Sequence, residues 1–184
     1  MFRNKLWLHQ IVLFGVLGLL ILWSIFDRSF IFSVSLLWWL LGAVVGFVFV
    51  FSDRLFNSLV AKPNEVLNVR IKDLFSQGKV TGGLKLLLEE RYDQRELVMR
   101  SFLFIIVWVI LAIFTMTSVT NFFARGFVLG IGIHLIFDLI YDFITDKERL
   151  DMWFWQIKRT LEPEEKRWFV VIALVIFIFL AFSL

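Results

Sequence analysis

Residues 126–144 read GFVLGIGIHLIFDLIYDFI, a run long and apolar enough to cross a bilayer that nevertheless carries His134, Asp138 and Asp142 at i, i+4 and i+8. At 3.6 residues per turn these three ionisable groups share one face of a helix, and Gly126 and Gly130 extend the same row. Ionisable groups at membrane depth are expensive, so such a face points into protein and marks either a buried site or a structural pairing. The glycines let another helix approach closely. The expected setting is therefore a helical bundle in lipid, with this helix inside it.

Composition excludes a soluble reading. The chain is 60% hydrophobic and 18% aromatic, with 23 Phe, 8 Trp and only 2 Pro in 184 residues, and its mean hydropathy is +0.84. The lack of cysteine excludes disulfides, thiolate metal sites, haem attachment and thiol nucleophiles. Net charge is only +3, so the distribution of charge carries more information than its size.

Runs of about 20 residues, the length that spans roughly 30 Å of hydrocarbon, fall at 6–26, 30–51, 101–117, 126–144 and 168–184. The predicted fold class is all-α: five transmembrane helices with a short cytoplasmic helical hairpin. Arg3 and Lys5 before an apolar run invite a signal-peptide reading. The run is too long for that and leads into a second span without a small-residue cleavage site, so 1–51 reads as a first transmembrane hairpin. Segment 52–100 is cytoplasmic, 101–144 a second transmembrane hairpin, 145–167 a cytoplasmic interfacial stretch, and 168–184 a C-terminal span. Assigning the polar segments alternately to two sides puts 17 of the 19 Lys and Arg on one of them, leaving Arg28 and Arg125 opposite. By the positive-inside rule the N-terminus is cytoplasmic and the C-terminus outside.

Within 52–100, Leu67, Ile71, Leu74 and Phe75 form a helical stripe that stops at Gly78, and Val80, Leu84, Leu87 and Leu88 repeat it. Two amphipathic helices in a hairpin at 64–92 follow, with Asp93 and Glu96 read as a capping box for the third span. A protein partner docking on this hairpin is one reading, and a cover lying on the bilayer or the bundle is the other. The stretch 145–167 includes Trp153, Phe154 and Trp155 beside Lys158 and Arg159, the mixture of an aromatic belt that meets membrane lipids at headgroup level. Its six acidic residues equal its six basic ones, so no nucleic-acid partner is expected.

The candidate intramembrane polar site comprises His134, Asp138 and Asp142, with Arg100 and Arg54 at the cytoplasmic boundary as cations for Asp142. Counting depth from the span starts puts Gly42 and Gly46 level with Asp138 and Asp142, where their lack of side chains makes room for the carboxylates. The same count puts His9 too far from His134 to reach it, though close to Asp142. Neighbours at i, i+4 can share an ion, so His134 and Asp138 are the candidate metal pair; the other ligands must come from elsewhere. No nucleotide, zincin or nucleophile-elbow motif is present, no catalytic residue is nominated, and no cofactor is expected.

Residues Gln77 to Glu89, with Gly83 where alanine is usual, resemble the turn and second helix of a tetratricopeptide repeat, which implies protein binding. The string Gly130-Ile131-Gly132-Ile133-His134-Leu135-Ile136-Phe137-Asp138 is similar to a segment of the membrane-bound metal-dependent hydrolases of bacterial inner membranes, which implies metal binding at His134 and Asp138. Taken whole, with Leu41 to Gly46, Asp53-Arg54, Arg100-Ser101 and Gly126 to Asp138, the chain looks like a set of small uncharacterised bacterial inner-membrane proteins. That resemblance implies architecture and a bacterial origin, and no activity. The leading expectation is a non-enzymatic membrane scaffold or partner-docking subunit. Proton- or ion-coupled transport through His134, Asp138 and Asp142 and metal-dependent hydrolysis in the membrane are the alternatives.

Overall fold

The computed structural model describes residues 6–26, 34–89, 94 and 96–184. Arg3, Lys5, Arg28, residues 30–33 of the expected second span, residues 90–92 of the expected hairpin, and Asp93 of the expected capping box lie outside them, as do the side chains of Leu88 and Glu89. Among the described residues every regular element is helical: α1 (Leu6–Phe26), α2 (Val34–Phe49), α3 (Ser52–Phe56) running into a π-turn (Asn57–Ala61), α4 (Val66–Ser76), α5 (Val80–Glu89), α6 (Phe102–Ser118), α7 (Phe122–Thr145), α8 (Lys147–Met152) and α9 (Pro163–Ala181).

Three of these are long and apolar enough to cross a membrane: α1, α7, and the 28 residues Val34–Ala61 that join α2, α3 and the π-turn. Of the five expected spans, three thus meet the length and hydropathy of a crossing helix among the described residues. Helix α6 is apolar but only 17 residues long, about 26 Å at 1.5 Å per residue. Helix α9 opens with Glu164, Glu165, Lys166 and Arg167, so its apolar stretch starts only at Trp168.

Helix α7 is the hub, packing against α1, α2, α6, α8 and α9. Its contact with α2 is backbone against backbone. A Cβ built on Gly42 would stand 2.1 Å from the Phe123 carbonyl oxygen, and one on Gly46 2.0 Å from that of Phe127. From the other side, Cβ atoms on Gly126 and Gly130 would stand 1.9 Å and 2.0 Å from the carbonyl oxygens of Trp39 and Ala43. Small residues on both helices let the two axes close to van der Waals contact, the main source of association where lipid is as apolar as leucine. The two helices run in the same direction, but Gly42 and Gly46 face Phe123 and Phe127, not Asp138 and Asp142. The expected register set Phe30 level with Gly126, whereas the structure sets Trp39 and Ala43 against Gly126, so equal counts from the ends of the apolar runs do not give equal depth.

Around this pair, Leu13, Leu17 and Leu20 of α1, Trp108 of α6 and Phe177 of α9 fill the core. The Trp108 indole donates to the Val128 carbonyl at 2.8 Å, which pins α6 to α7. Outward faces carry exposed Trp23, Trp38, Phe114 and Phe179, as lipid contact requires.

The α4–α5 hairpin has its own small core of Leu67, Ile71 and Leu87, with Leu55, Phe75 and Leu86 against it. Gly78, at φ 73, ends α4 in a Schellman turn, with Lys79 N–H donating to Leu74 O and Gly78 N–H to Phe75 O. Val80 and Leu84, expected inside, are exposed, whereas Leu87 of the same stripe is buried in this core and Leu86, outside the stripe, packs against it. Helix α6 is capped by Ser101, whose Oγ accepts from Phe104 N–H at 3.2 Å, five residues beyond Glu96. Glu96 pairs instead with Lys62 at 2.5 Å. The aromatic stretch is also corrected: Trp153 and Phe154 are buried in the core, and only Trp155 is exposed as a headgroup belt would have it.

Candidate functional site

The ionisable row of α7 sits among groups from four other parts of the chain. His134 lies beneath the end of α2. There Phe51 N–H turns back to Val48 O at 2.9 Å, tightening the last turn, and His134 Nδ1 lies 2.8 Å from the Phe47 carbonyl oxygen. A carbonyl only accepts, so Nδ1 carries the proton. The imidazole thereby satisfies one of the carbonyls that a helix end leaves unpaired. Phe47 and Phe51 wall the ring, at centroid distances of 4.6 Å and 4.7 Å.

His9, one turn into α1, comes to the same place. Its Nε2 is 3.0 Å from Asp138 Oδ1, its ring lies 5.3 Å from that of His134, and Phe137 packs edge-on to it at 4.6 Å. The expectation that His9 falls too far in depth to meet His134 is therefore overturned. The last two turns of α7 run on past the level of His9.

Asp138 Oδ2 faces His134 Nε2 and Arg100 Nε, each at 3.6 Å. Arg100 is shared: its Nη2 also pairs with Asp142 Oδ2, which accepts from Trp153 Nε1 at 2.9 Å. The guanidinium carbon stands 5.7 Å from the centre of the Trp153 ring, a cation–π distance. Of the two cations expected for Asp142, Arg100 is the one the structure pairs with it. Arg54 is buried in α3, where its carbonyl accepts from Gln94 Nε2 at 3.2 Å.

Arg100 reaches the row because the chain before α6 is fastened on both sides. Asp53 Oδ2 accepts from Met99 N–H at 2.7 Å, Trp155 Nε1 donates to Leu97 O at 3.3 Å, and Phe102 N–H donates to Trp153 O at 2.8 Å. Asp53 is a positioning residue that sequence reading missed. Its acid type beside a span was visible, but its partner lies 46 residues away. Gln94 Nε2 to Ser58 Oγ at 2.7 Å and Asn68 Nδ2 to Lys62 O at 2.8 Å extend this buried polar seam into α4.

His9, His134, Asp138 and Asp142 are all buried, and Arg100 nearly so. With both imidazoles neutral, two carboxylates against one guanidinium leave a net charge of −1. Counted over the described residues, such an excess is relieved by a proton on one of the imidazoles or by a further cation. His9, His134 and Asp138 each offer one ligand atom, all within 4.8 Å of one another. The residues on hand thus fit a small cation, with His9 completing the expected pair His134 and Asp138. No protein-family model, curated protein or solved structure matches the chain.

Proposed function

We propose that this chain is a non-enzymatic integral membrane subunit that presents its α4–α5 hairpin to a protein partner on the cytoplasmic side. In this reading α6 and α9 cross the bilayer beside α1, α2 and α7, giving five spans, with the N-terminus inside a bacterial inner membrane. The basic-residue split of 17 to 2 supports that orientation.

The observation that carries the proposal is the anchoring of the hairpin. The buried Asn68 of α4 joins it to the chain around α3, donating to Lys62 O at 2.8 Å and Asn57 Oδ1 at 3.5 Å and accepting from Gln94 Nε2 at 3.5 Å. Helix α4 still exposes Val66 and Val69, and α5 exposes Val80 and Leu84. A fixed platform with uncovered apolar side chains suits docking, since little ordering entropy is lost when the partner arrives. Residues 64–89 carry four basic and three acidic groups, a near balance that suits a protein surface better than an anionic bilayer.

Photoreactive residues introduced at Lys72 and Lys85 in intact cells should each capture the same discrete protein. Recovery of lipid or of this chain alone would reduce the hairpin to a cover. Cysteine labelling at positions 85 and 158 should occur only after membrane permeabilisation, and at 121 without it. Labelling of position 85 in intact cells would reverse the orientation.

A second reading, an ion- or proton-coupled component, is favoured by the meeting of His9, His134 and Asp138 inside the bundle. It requires the cluster to exchange its cation, whereas the scaffold requires only that the cluster hold the helices together.

A further inference from the structure

The hydrogen bond from His134 Nδ1 to Phe47 O fixes the ring's tautomer and leaves the Nε2 lone pair of the neutral ring aimed at Asp138 Oδ2, 3.6 Å away. Two acceptors facing each other away from water repel unless a proton or a metal cation stands between them, and either fits this gap. Asp138 Oδ1 meets His9 Nε2 at 3.0 Å on its other side. We infer that His9, His134 and Asp138 form a binding site for one divalent transition-metal ion of the zinc class. This site is independent of partner docking.

The geometry fits. Bonds of about 2.0–2.1 Å around a tetrahedral centre put neighbouring ligand atoms roughly 3.3 Å apart; His9 Nε2 stands 3.0 Å from Asp138 Oδ1 and His134 Nε2 3.6 Å from Asp138 Oδ2, so a small turn of the carboxylate brings one oxygen to both rings. The widest separation, within 4.8 Å, is closed by turning the His9 ring and the Asp138 carboxylate toward the fixed His134. Phe47 O acts on His134 as outer-sphere carbonyls do on metal-ligating histidines, holding the tautomer and the ring plane. Two imidazoles and one carboxylate, in a chain without cysteine, suit zinc and its neighbours, and three protein ligands leave a fourth position for water.

The charges fit as well. The cluster's net −1 becomes +1 with a divalent ion and returns to zero if the bound water ionises. Arg100 need not leave the site on metal entry, because Asp142 already holds it. When the ion takes Asp138, Arg100 gives up only its longer, 3.6 Å approach.

The test uses the full chain in mild detergent, stripped with a chelator and titrated with Co²⁺. The wild type should take up one equivalent, with the visible ligand-field absorption of a four-coordinate centre, and Zn²⁺ should displace it. His9→Gln and Asp138→Asn should each weaken binding by at least about tenfold at unchanged helical content. Should either variant fail to fold, the wild type still decides the matter, because bound Co²⁺ must shift the imidazole resonances of His9 and His134 together. A wild type that gives no absorption, or one whose absorption survives His9→Gln unchanged, or whose histidine resonances do not move, overturns the site.

Discussion

Replacing Gly42 by leucine tests the α2–α7 contact at its tightest point. The new Cβ would stand 2.1 Å from Phe123 O and 2.9 Å from Phe127 N, where ordinary contact begins at 3.4 Å. The helices must therefore part by about 1.3 Å, the difference between the first and last of those distances. No rotamer relieves the clash, since the atoms met are backbone. Parting the axes also loosens the contacts at Gly46, Gly126 and Gly130, which depend on the same approach. Overpacking in a close-packed interior typically costs about 1–3 kcal/mol, and a clash against backbone belongs at the upper end. A loss of about 3 kcal/mol lowers the folding equilibrium roughly a hundredfold. Unfolding in detergent, followed by near-ultraviolet tryptophan signals, measures it. Gly15→Leu is the control, because nothing lies within 4 Å of a Cβ there. Asp138→Asn should be milder than Gly42→Leu, as the amide still hydrogen-bonds. If Gly42→Leu unfolds no more readily than Gly15→Leu, the glycine-mediated contact is wrong.

Arg100→Ala should destabilise the protein by about 3 kcal/mol, at the low end for a broken buried pair, because Arg100 keeps 17% exposure while Asp142, at 2%, loses its cation. Adding Asp142→Asn should restore part of that loss in a denaturation series, and additive losses would refute the pairing. At the start of α9, hydrogen bonds from Arg159 and then from the Glu162 amide depress the Glu165 carboxyl from 4.5 to about 2. A depressed acid stabilises the folded state above its ordinary pKa and loses that effect as pH falls toward the lowered value. The Glu165 carboxyl carbon should thus titrate in NMR near pH 2, and at a higher pH in Arg159→Ala, still below 4.5 because the Glu162 amide remains; a wild-type midpoint at 4.5 would refute the contact.

What was legible in the sequence was whatever a single helix records by itself. The row from Gly126 to Asp142 is a periodicity, and periodicity identifies a face. The glycine pair at 42 and 46 likewise declared a close approach. Neither feature fixes axial offset, which depends on where each helix begins, and so the glycines were assigned to the wrong level of α7. His9 was misplaced for the same reason, as a depth count assumes helices flush with one another. Trp153 read as an interfacial residue because aromatics beside bases suit headgroups. Its burial follows instead from a fold-level event: the chain after α8 turns back to bond Phe102, bringing its indole onto Asp142. The role of Asp53 was silent because a hydrogen bond to a backbone amide leaves no mark on the partner's identity.

The meeting of α1 with the ionisable row of α7 supports both the buried brace and the metal site, and a distance measurement tests it without any substitution. Solid-state NMR on labelled protein in lipid bilayers reads the separation between His9 Nε2 and the Asp138 carboxyl carbon. With Nε2 3.0 Å from Oδ1, that separation should be about 4 Å for a hydrogen-bonded pair. No dipolar contact within roughly 6 Å, well beyond hydrogen-bond reach, would place His9 elsewhere and contradict the account.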